Sequence, residues 1–184
     1  MTSAGEYHPG PTAIWTHYQR MLGALNVLGS ALLRGLENRT GPLSGDTRFR
    51  GLSRDEVGTT LEEMRAEVDA QTTMMLMASF EAELMVFYRR GSWKGHKPLG
   101  RMLKKLWREP QPSLKKLLTK LREFAADKKS VSQFIQAIPD RHWLAHGRYF
   151  ESRSGIGSVT PEMGWRLGAD LFETLPVVAS LPGM

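Results

Sequence analysis

Apolar positions recur along most of this chain at steps of three and four, the period of a helix that buries one face. Between residues 12 and 36 the stripe is Trp15, Tyr18, Leu22, Leu25, Leu32 and Leu36, with the small Gly29 at its seam. Residues 39–51 break the pattern with Gly41, Pro42 and Gly45 and read as a loop. Ser53 and Glu56 then form a capping box, in which each side chain serves the other residue's backbone N–H. Behind it Val57, Leu61, Met64 and Val68 run into a methionine-rich stretch, so a single helix of more than thirty residues is expected. Its second half, 74–87, is apolar nearly all round, the pattern of a central helix buried among others. The methionines there read as packing residues rather than a cofactor box.

The segment GSWKGHKPLG ends that helix. Two short basic amphipathic helices follow, LGRMLKKLW and PSLKKLLTKLREF, divided by Pro110 and Pro112. In the second, Leu114, Leu117, Leu118 and Leu121 mark the inward face, while Lys115, Lys116, Lys120 and Arg122 project elsewhere. Residues 131–145 read as another helix, kinked or restarted at Pro139 and capped by Gly147. Thr160, Pro161 and Glu162 open a last helix carrying Leu167, Leu171 and Leu175. No period-two strand interrupts the series. The expected architecture is an all-α bundle of five or six helices. Residues 1–51 form a tail, helix and loop packed on a helical domain spanning 52–184.

Length and composition narrow this further. A chain of 184 residues with 41% hydrophobic positions suits one domain with its own core. It has no cysteine, which removes disulfides and thiolate metal sites and fits a reducing compartment. The N-terminal MTSAGEYHPG lacks the basic start and apolar run of a signal peptide, and no apolar stretch is long enough to span a bilayer, so a cytoplasmic protein is expected. The net charge is +6, but its distribution says more. Fourteen Lys or Arg lie between Arg89 and Lys129 against Glu109, Glu123 and Asp127, so that segment carries +11 and the remainder −5. Lys104, Lys105, Lys115 and Lys116 are its central cations, and a polyanion such as RNA is the partner such a segment would meet. Solvation of the outer faces of two short helices explains the same lysines equally well.

The chemistry-bearing residues concentrate in RHWLAHGRYF, 141–150. His142 and His146 are four apart and share a helix face, a spacing that suits a metal, but Trp143 stands where a zinc protease would have glutamate. His8, His17 and His96 add no supporting spacing, so neither metal nor cofactor is expected. Arg141 and His146 stand about 140° apart around a helix axis, and they meet at one phosphate only if Arg141 reaches around or two copies face one another. Arginine offers a planar charged fork to phosphate oxygens, and imidazole moves a proton near neutral pH. Those are two requirements of RNA cleavage by its own 2′-hydroxyl. The structural reading stays beside this one: His146 and Arg148 next to Gly147 would complement carbonyls at a helix end, with Trp143, Leu144 and Phe150 as packing residues. Upstream, Glu81 in SFEAEL is flanked on its helix face by Met77, Ala78, Leu84 and Met85. A carboxylate on such a face calls for a cationic or hydrogen-bonding partner.

The string Arg141-His-Trp-Leu-Ala-His146 resembles the Arg-x4–6-His signature of the HEPN superfamily (higher eukaryotes and prokaryotes nucleotide-binding), and RHWLAHGRY is similar to a prokaryotic branch of it. The resemblance runs from about Thr72 to Leu175. It implies an all-α bundle and a homodimer with a shared active-site cleft. It further implies a metal-independent endoribonuclease of the toxin–antitoxin, antiviral or RNA-processing kind, with an antitoxin or other regulatory protein as partner. Carried onto this sequence, Arg141 binds phosphate, His146 transfers the proton, and His142 supports them. Glu81, in the corresponding long helix, orients Arg141 or His146. Some HEPN toxins carry a modifiable tyrosine two residues after the histidine. Here Arg148 holds that position and Tyr149 follows, which speaks against that regulation and gives Arg148 a phosphate contact instead. The superfamily also contains inactive members, so a non-catalytic module binding RNA, a nucleotide or a protein is the competing expectation.

Overall fold

The computed structural model of the protein describes residues 10–38, 49, 51–89, 97–106, 108, 113–145 and 159–175, with the backbone alone at 37, 38, 89, 140 and 142–145. Among the described residues there are six helices and no strand: α1 (Pro11–Asn38), α2 (Arg54–Arg89), α3 (Lys97–Leu106), α4 (Leu114–Leu121), α5 (Lys128–Ala145) and α6 (Pro161–Thr174). The protein is an all-α bundle, as the apolar periodicity predicts.

Helix α1 begins at Pro11, where the missing N–H costs nothing, and the Gly10 carbonyl accepts from Ala13 and Ile14. It runs antiparallel to α2. Gly29 packs at the seam, where an added Cβ would lie 3.1 Å from Leu61 Cδ1, and Tyr18 reaches Asp69. At the far end of this hairpin Leu32, Phe49 and Val57 form a small separate cluster. Phe49 is anchored there out of the stretch expected to be only a loop, and Gly51 follows at φ +81°, a turn conformation that glycine adopts without penalty. Leu36, expected on the buried stripe, is instead exposed, because the stripe has run beyond α2's first turns.

Helix α2 is 36 residues long, about 54 Å at 1.5 Å per residue. The capping box is made: Ser53 N donates to Glu56 Oε2 at 2.7 Å and Glu56 N donates to Ser53 Oγ at 3.3 Å. Its second half is central, with Leu76, Met77, Phe80, Leu84 and Tyr88 in the main core. It is not covered all round, however, because Met75, Ala82 and Val86 share an exposed stripe. The apolar character of those positions does not decide where a neighbour packs; α1, α5 and α6 occupy the other sides.

Helices α3 and α4 are the short basic pair expected around Pro110 and Pro112. Leu99, Leu103 and Leu106 are buried on one, Leu114, Leu117, Leu118 and Leu121 on the other, and Ser113 caps α4 by accepting from Lys116 N at 3.2 Å. Helix α5 starts three residues before the expected Val131. Asp127 caps it, accepting from Lys129 N at 2.8 Å, Ser130 N at 3.3 Å and Ser130 Oγ at 2.6 Å. It then runs through Pro139 without restarting. Proline has no N–H to offer the Ile135 carbonyl, and the helix tolerates this at an exposed position. Helix α6 opens as expected on Thr160, whose side chain accepts from Met163 N, and buries Leu167 and Leu171; Leu175, expected on the helix, is its extended C-cap and is buried too. The centre of the core is Phe80, with ring contacts to Phe134, Trp165 and Phe172. Gly168 lies so close to it that an added Cβ would overlap the Phe80 ring.

Candidate functional site

The buried stripe of α5 is Val131, Phe134 and Ala137, and Arg141 continues it at the next turn. A residue in that register faces neighbouring helices, so its cation needs a counter-charge. The counter-charge is Glu81 on α2, sixty positions earlier: Arg141 Nη1 donates to Glu81 Oε2 in an ion pair. The two side chains are only 28% and 27% exposed. Low solvent exposure strengthens the attraction and raises the cost of removing one partner alone. A guanidinium has five N–H donors in a rigid fork, and this contact engages one nitrogen. Glu81 therefore fixes one edge of the group and leaves the geometry of a fork that suits phosphate oxygens.

His142 follows on the backbone of α5, with its side chain outside the described residues. His146, Arg148 and Tyr149 also lie outside them, as does the Gly147 expected to cap the helix. Among the described residues no three His, Cys, Asp or Glu side chains gather as metal ligands would. None of the helices there is long and apolar enough to cross a membrane.

The described cations of the basic segment on α3, α4 and the first turn of α5 face outward. Lys104, Lys105, Lys115 and Lys116 are all exposed, together with Arg101, Arg108, Lys120, Arg122, Lys128 and Lys129. The leucines of the same helices are buried, so the amphipathic pattern holds the cations outward. The two described acids of this region are already committed. Glu123 lies 3.8 Å from Lys120 in an exposed pair, and the Asp127 oxygens cap α5, where the Ser130 hydroxyl first and the Lys129 and Ser130 N–H groups after it hold that carboxyl below the usual carboxylate range. An exposed pair of this type contributes about 0–1 kcal/mol and neutralises one lysine at most. The surface keeps its positive sign.

A second polar junction escaped the sequence reading. The Tyr18 hydroxyl, on a side chain 2% exposed, lies 2.9 Å from Asp69 Oδ1 on α2 and 3.0 Å from Glu162 Oε1 on α6. One phenolic proton is thus shared between two carboxylate oxygens. Burial, then those two acceptors, raises the Tyr18 pKa well above its ordinary value. Trp15 stacks on Trp165 beside it, with centroids 5.5 Å apart. The available signal was the tyrosine itself, since a hydroxyl in an otherwise apolar stripe requires a partner.

Compared with models of known protein families, with curated proteins and with solved structures, the chain finds no match.

Proposed function

We propose that this protein is a metal-independent HEPN-type endoribonuclease that acts on RNA in the cytoplasm, as a toxin or antiviral effector. The observation that carries the reading is the Glu81–Arg141 ion pair at the head of the RHWLAH motif. It holds the arginine of the motif in a semi-buried position, as a phosphate-binding cation requires. In the proposed reaction His146 takes the proton of a ribose 2′-hydroxyl, and that oxygen attacks the adjacent phosphorus. Arg141 stabilises the charge gathering on the phosphoryl oxygens. The 5′-oxygen leaves and takes a proton from water, His146 releases its proton to solvent, and the products are a 2′,3′-cyclic phosphate and a 5′-hydroxyl end. His142 supports the pair, Arg148 adds a phosphate contact beside Tyr149, and a homodimer brings two such sets into one cleft. The exposed cations of α3 and α4, Lys104, Lys105, Lys115 and Lys116 among them, draw the polyanion in.

The deciding experiment compares wild-type protein with folded His146→Ala on total RNA in excess EDTA, mapping new ends and testing for cyclic phosphate. Cleavage by the wild type alone supports the reading. Cleavage that requires a divalent metal, or that proceeds on DNA at a comparable rate, overturns it.

A non-catalytic RNA-binding module is the second reading, and one observation favours it. Glu81 already occupies part of the Arg141 guanidinium, as in a purely structural link between α2 and α5. Under that reading RNA binds through the α3–α4 cations, no strand is cut, and His146→Ala leaves binding unchanged.

A further inference from the structure

The half of the α1–α2 hairpin distant from Phe80 presents an uncharged surface on α1. Residues 21–33 contain no charged side chain, yet Val27 is 70% exposed in their midst. Within about 60° of Val27 around the helix axis lie Gly23, Ala24, Ser30 and Ala31, of which Gly23, Ala24 and Ser30 are exposed. A helix face turned to water is ordinarily charged or polar, and this one carries no charge for more than three turns. Arg20 and Arg34 bound this face seven positions on either side of Val27, and both are exposed. Arg34 Nε donates to the Ser30 carbonyl at 3.1 Å, which lays the side chain along the helix.

A cleft of about 250 Å³ opens beside the face, between the two helices. Leu25, Gly29 and Leu61 form its apolar part, and Asn26, Ser30, Glu62 and Arg65 its polar part. Small-molecule sites are larger, roughly 300–1,000 Å³. A cleft of this size suits a single large apolar side chain, the anchor of a macromolecular contact.

Charge decides what covers the face. A second copy laid antiparallel about Val27 would bring Arg20 against Arg34 at both ends, and a parallel copy in register would set each arginine against itself. Like charges oppose both arrangements. A helix with carboxylates two heptads apart, about 21 Å along its axis, pairs with both arginines. We propose that this face docks an amphipathic helix of a different protein. That helix places one large apolar side chain in the α1–α2 cleft and carboxylates opposite Arg20 and Arg34. The surface lies apart from the α2–α5 ion pair and does not depend on ribonuclease activity.

The probe is a labelled synthetic helical peptide of about 20 residues with a leucine stripe and glutamates two heptads apart, alongside a twin carrying lysines there. Fluorescence anisotropy at moderate ionic strength is expected to show wild-type protein preferring the glutamate peptide by about tenfold. The double variant R20E/R34E is expected to reverse the preference by a similar factor. Gly29→Leu fills the cleft and is expected to weaken the glutamate peptide about tenfold. The first carbon of the new side chain would lie 3.1 Å from Leu61 Cδ1, so circular dichroism checks that the fold is kept, and R20E/R34E tests the proposal without touching the seam. If the charge reversal leaves the peptide preference unchanged, or neither peptide binds, the proposal fails. Wild-type self-association abolished by Val27→Glu would assign the face to a second copy and overturn it equally.

Discussion

Helix α2 carries two polar junctions twelve positions apart, at Asp69 and at Glu81, and they are built on opposite principles. At the first, a buried neutral hydroxyl from α1 is offered two acceptors from two helices. At the second, two full charges meet one to one while roughly a quarter of each side chain stays in contact with solvent. Surplus acceptors around a buried donor make a clasp that gains nothing by opening. A cation about a quarter exposed and paired with a carboxylate is steadied without being fully buried, which under the proposed function leaves it within reach of an incoming phosphate. The contrast separates polar groups that hold the bundle together from those suited to chemistry, and substitutions on each side test it.

The largest expected effect is on activity. Under the proposed function, Arg141→Ala lowers RNA cleavage about 10²–10³-fold, the cost of deleting one donor to a developing anionic charge. Arg141→Lys keeps the charge but loses the fork, so it recovers little. Single-turnover cleavage assays on folded variants measure both. Normal cleavage by Arg141→Ala would reduce the Glu81 pair to a second clasp and erase the contrast between the junctions.

Gly168→Ala comes next and separates packing from chemistry. The added methyl must displace Phe80, the hub of the aromatic core, and overpacking of this kind costs about 1–3 kcal/mol. Thermal melting should fall by about 2–4 °C per kcal/mol for a chain of this size. Cleavage assayed well below the transition should stay within a factor of two or so, since neither residue 141 nor the α3–α4 surface is touched.

Tyr18→Phe tests the clasp itself. Removing the hydroxyl deletes one shared hydrogen bond, worth about 0.5–1.5 kcal/mol, and leaves Asp69 and Glu162 with water as a substitute. A drop of a few degrees in melting temperature with unchanged cleavage is the expected outcome. The wild type carries its own signature as well. An acid whose folded pKa is raised contributes stability below its unfolded pKa, near 10 for tyrosine, and loses it as pH climbs toward the folded value. Absorbance titration should therefore find Tyr18, and the burial-shifted Tyr88, un-ionised at pH values where an exposed tyrosine titrates.

These junctions also mark where sequence stops being informative. The inward leucines of α4, the Ser53–Glu56 box and the Thr160–Pro161 start were readable because each is settled within one or two turns of chain. Glu81 was readable as a carboxylate in need of a partner. Arg141 as that partner, sixty residues on, was offered only by the HEPN resemblance and there as an alternative to His146; the choice depends on how α5 packs against α2, which no local spacing encodes. Tyr18 was hidden for a related reason: an aromatic residue fits the apolar stripe whether or not its hydroxyl is claimed by a distant helix. Leu36, Met75 and Val86 failed in the opposite direction. Each fits an apolar pattern, but the helix face that receives a neighbour is chosen by the whole bundle.

The smallest effect belongs to the Asp127 cap, and its pH dependence gives the sharpest sign. Hydrogen bonds from Ser130 and from the first N–H groups of α5 hold the Asp127 carboxyl below its ordinary value of 3.8, and the capping box does the same for Glu56, ordinarily 4.5. A carboxylate with a depressed folded pKa adds stability above its unfolded pKa and loses it as pH falls through the folded one. Asp127→Asn keeps an acceptor at the cap but removes the titrating charge. The melting temperatures of wild type and Asp127→Asn should differ slightly at pH 7, with the wild type higher, and converge as pH drops below 3.8. Asp127 also sits where the basic surface begins, so the variant tests how far the cap matters beyond stability. If the carboxylate serves only the helix terminus, RNA affinity should move no more than one removed surface charge predicts, a slight strengthening that salt screens away. A larger change would tie the start of α5 to RNA binding by the basic surface, and the division between holding groups and working groups would have to be redrawn there.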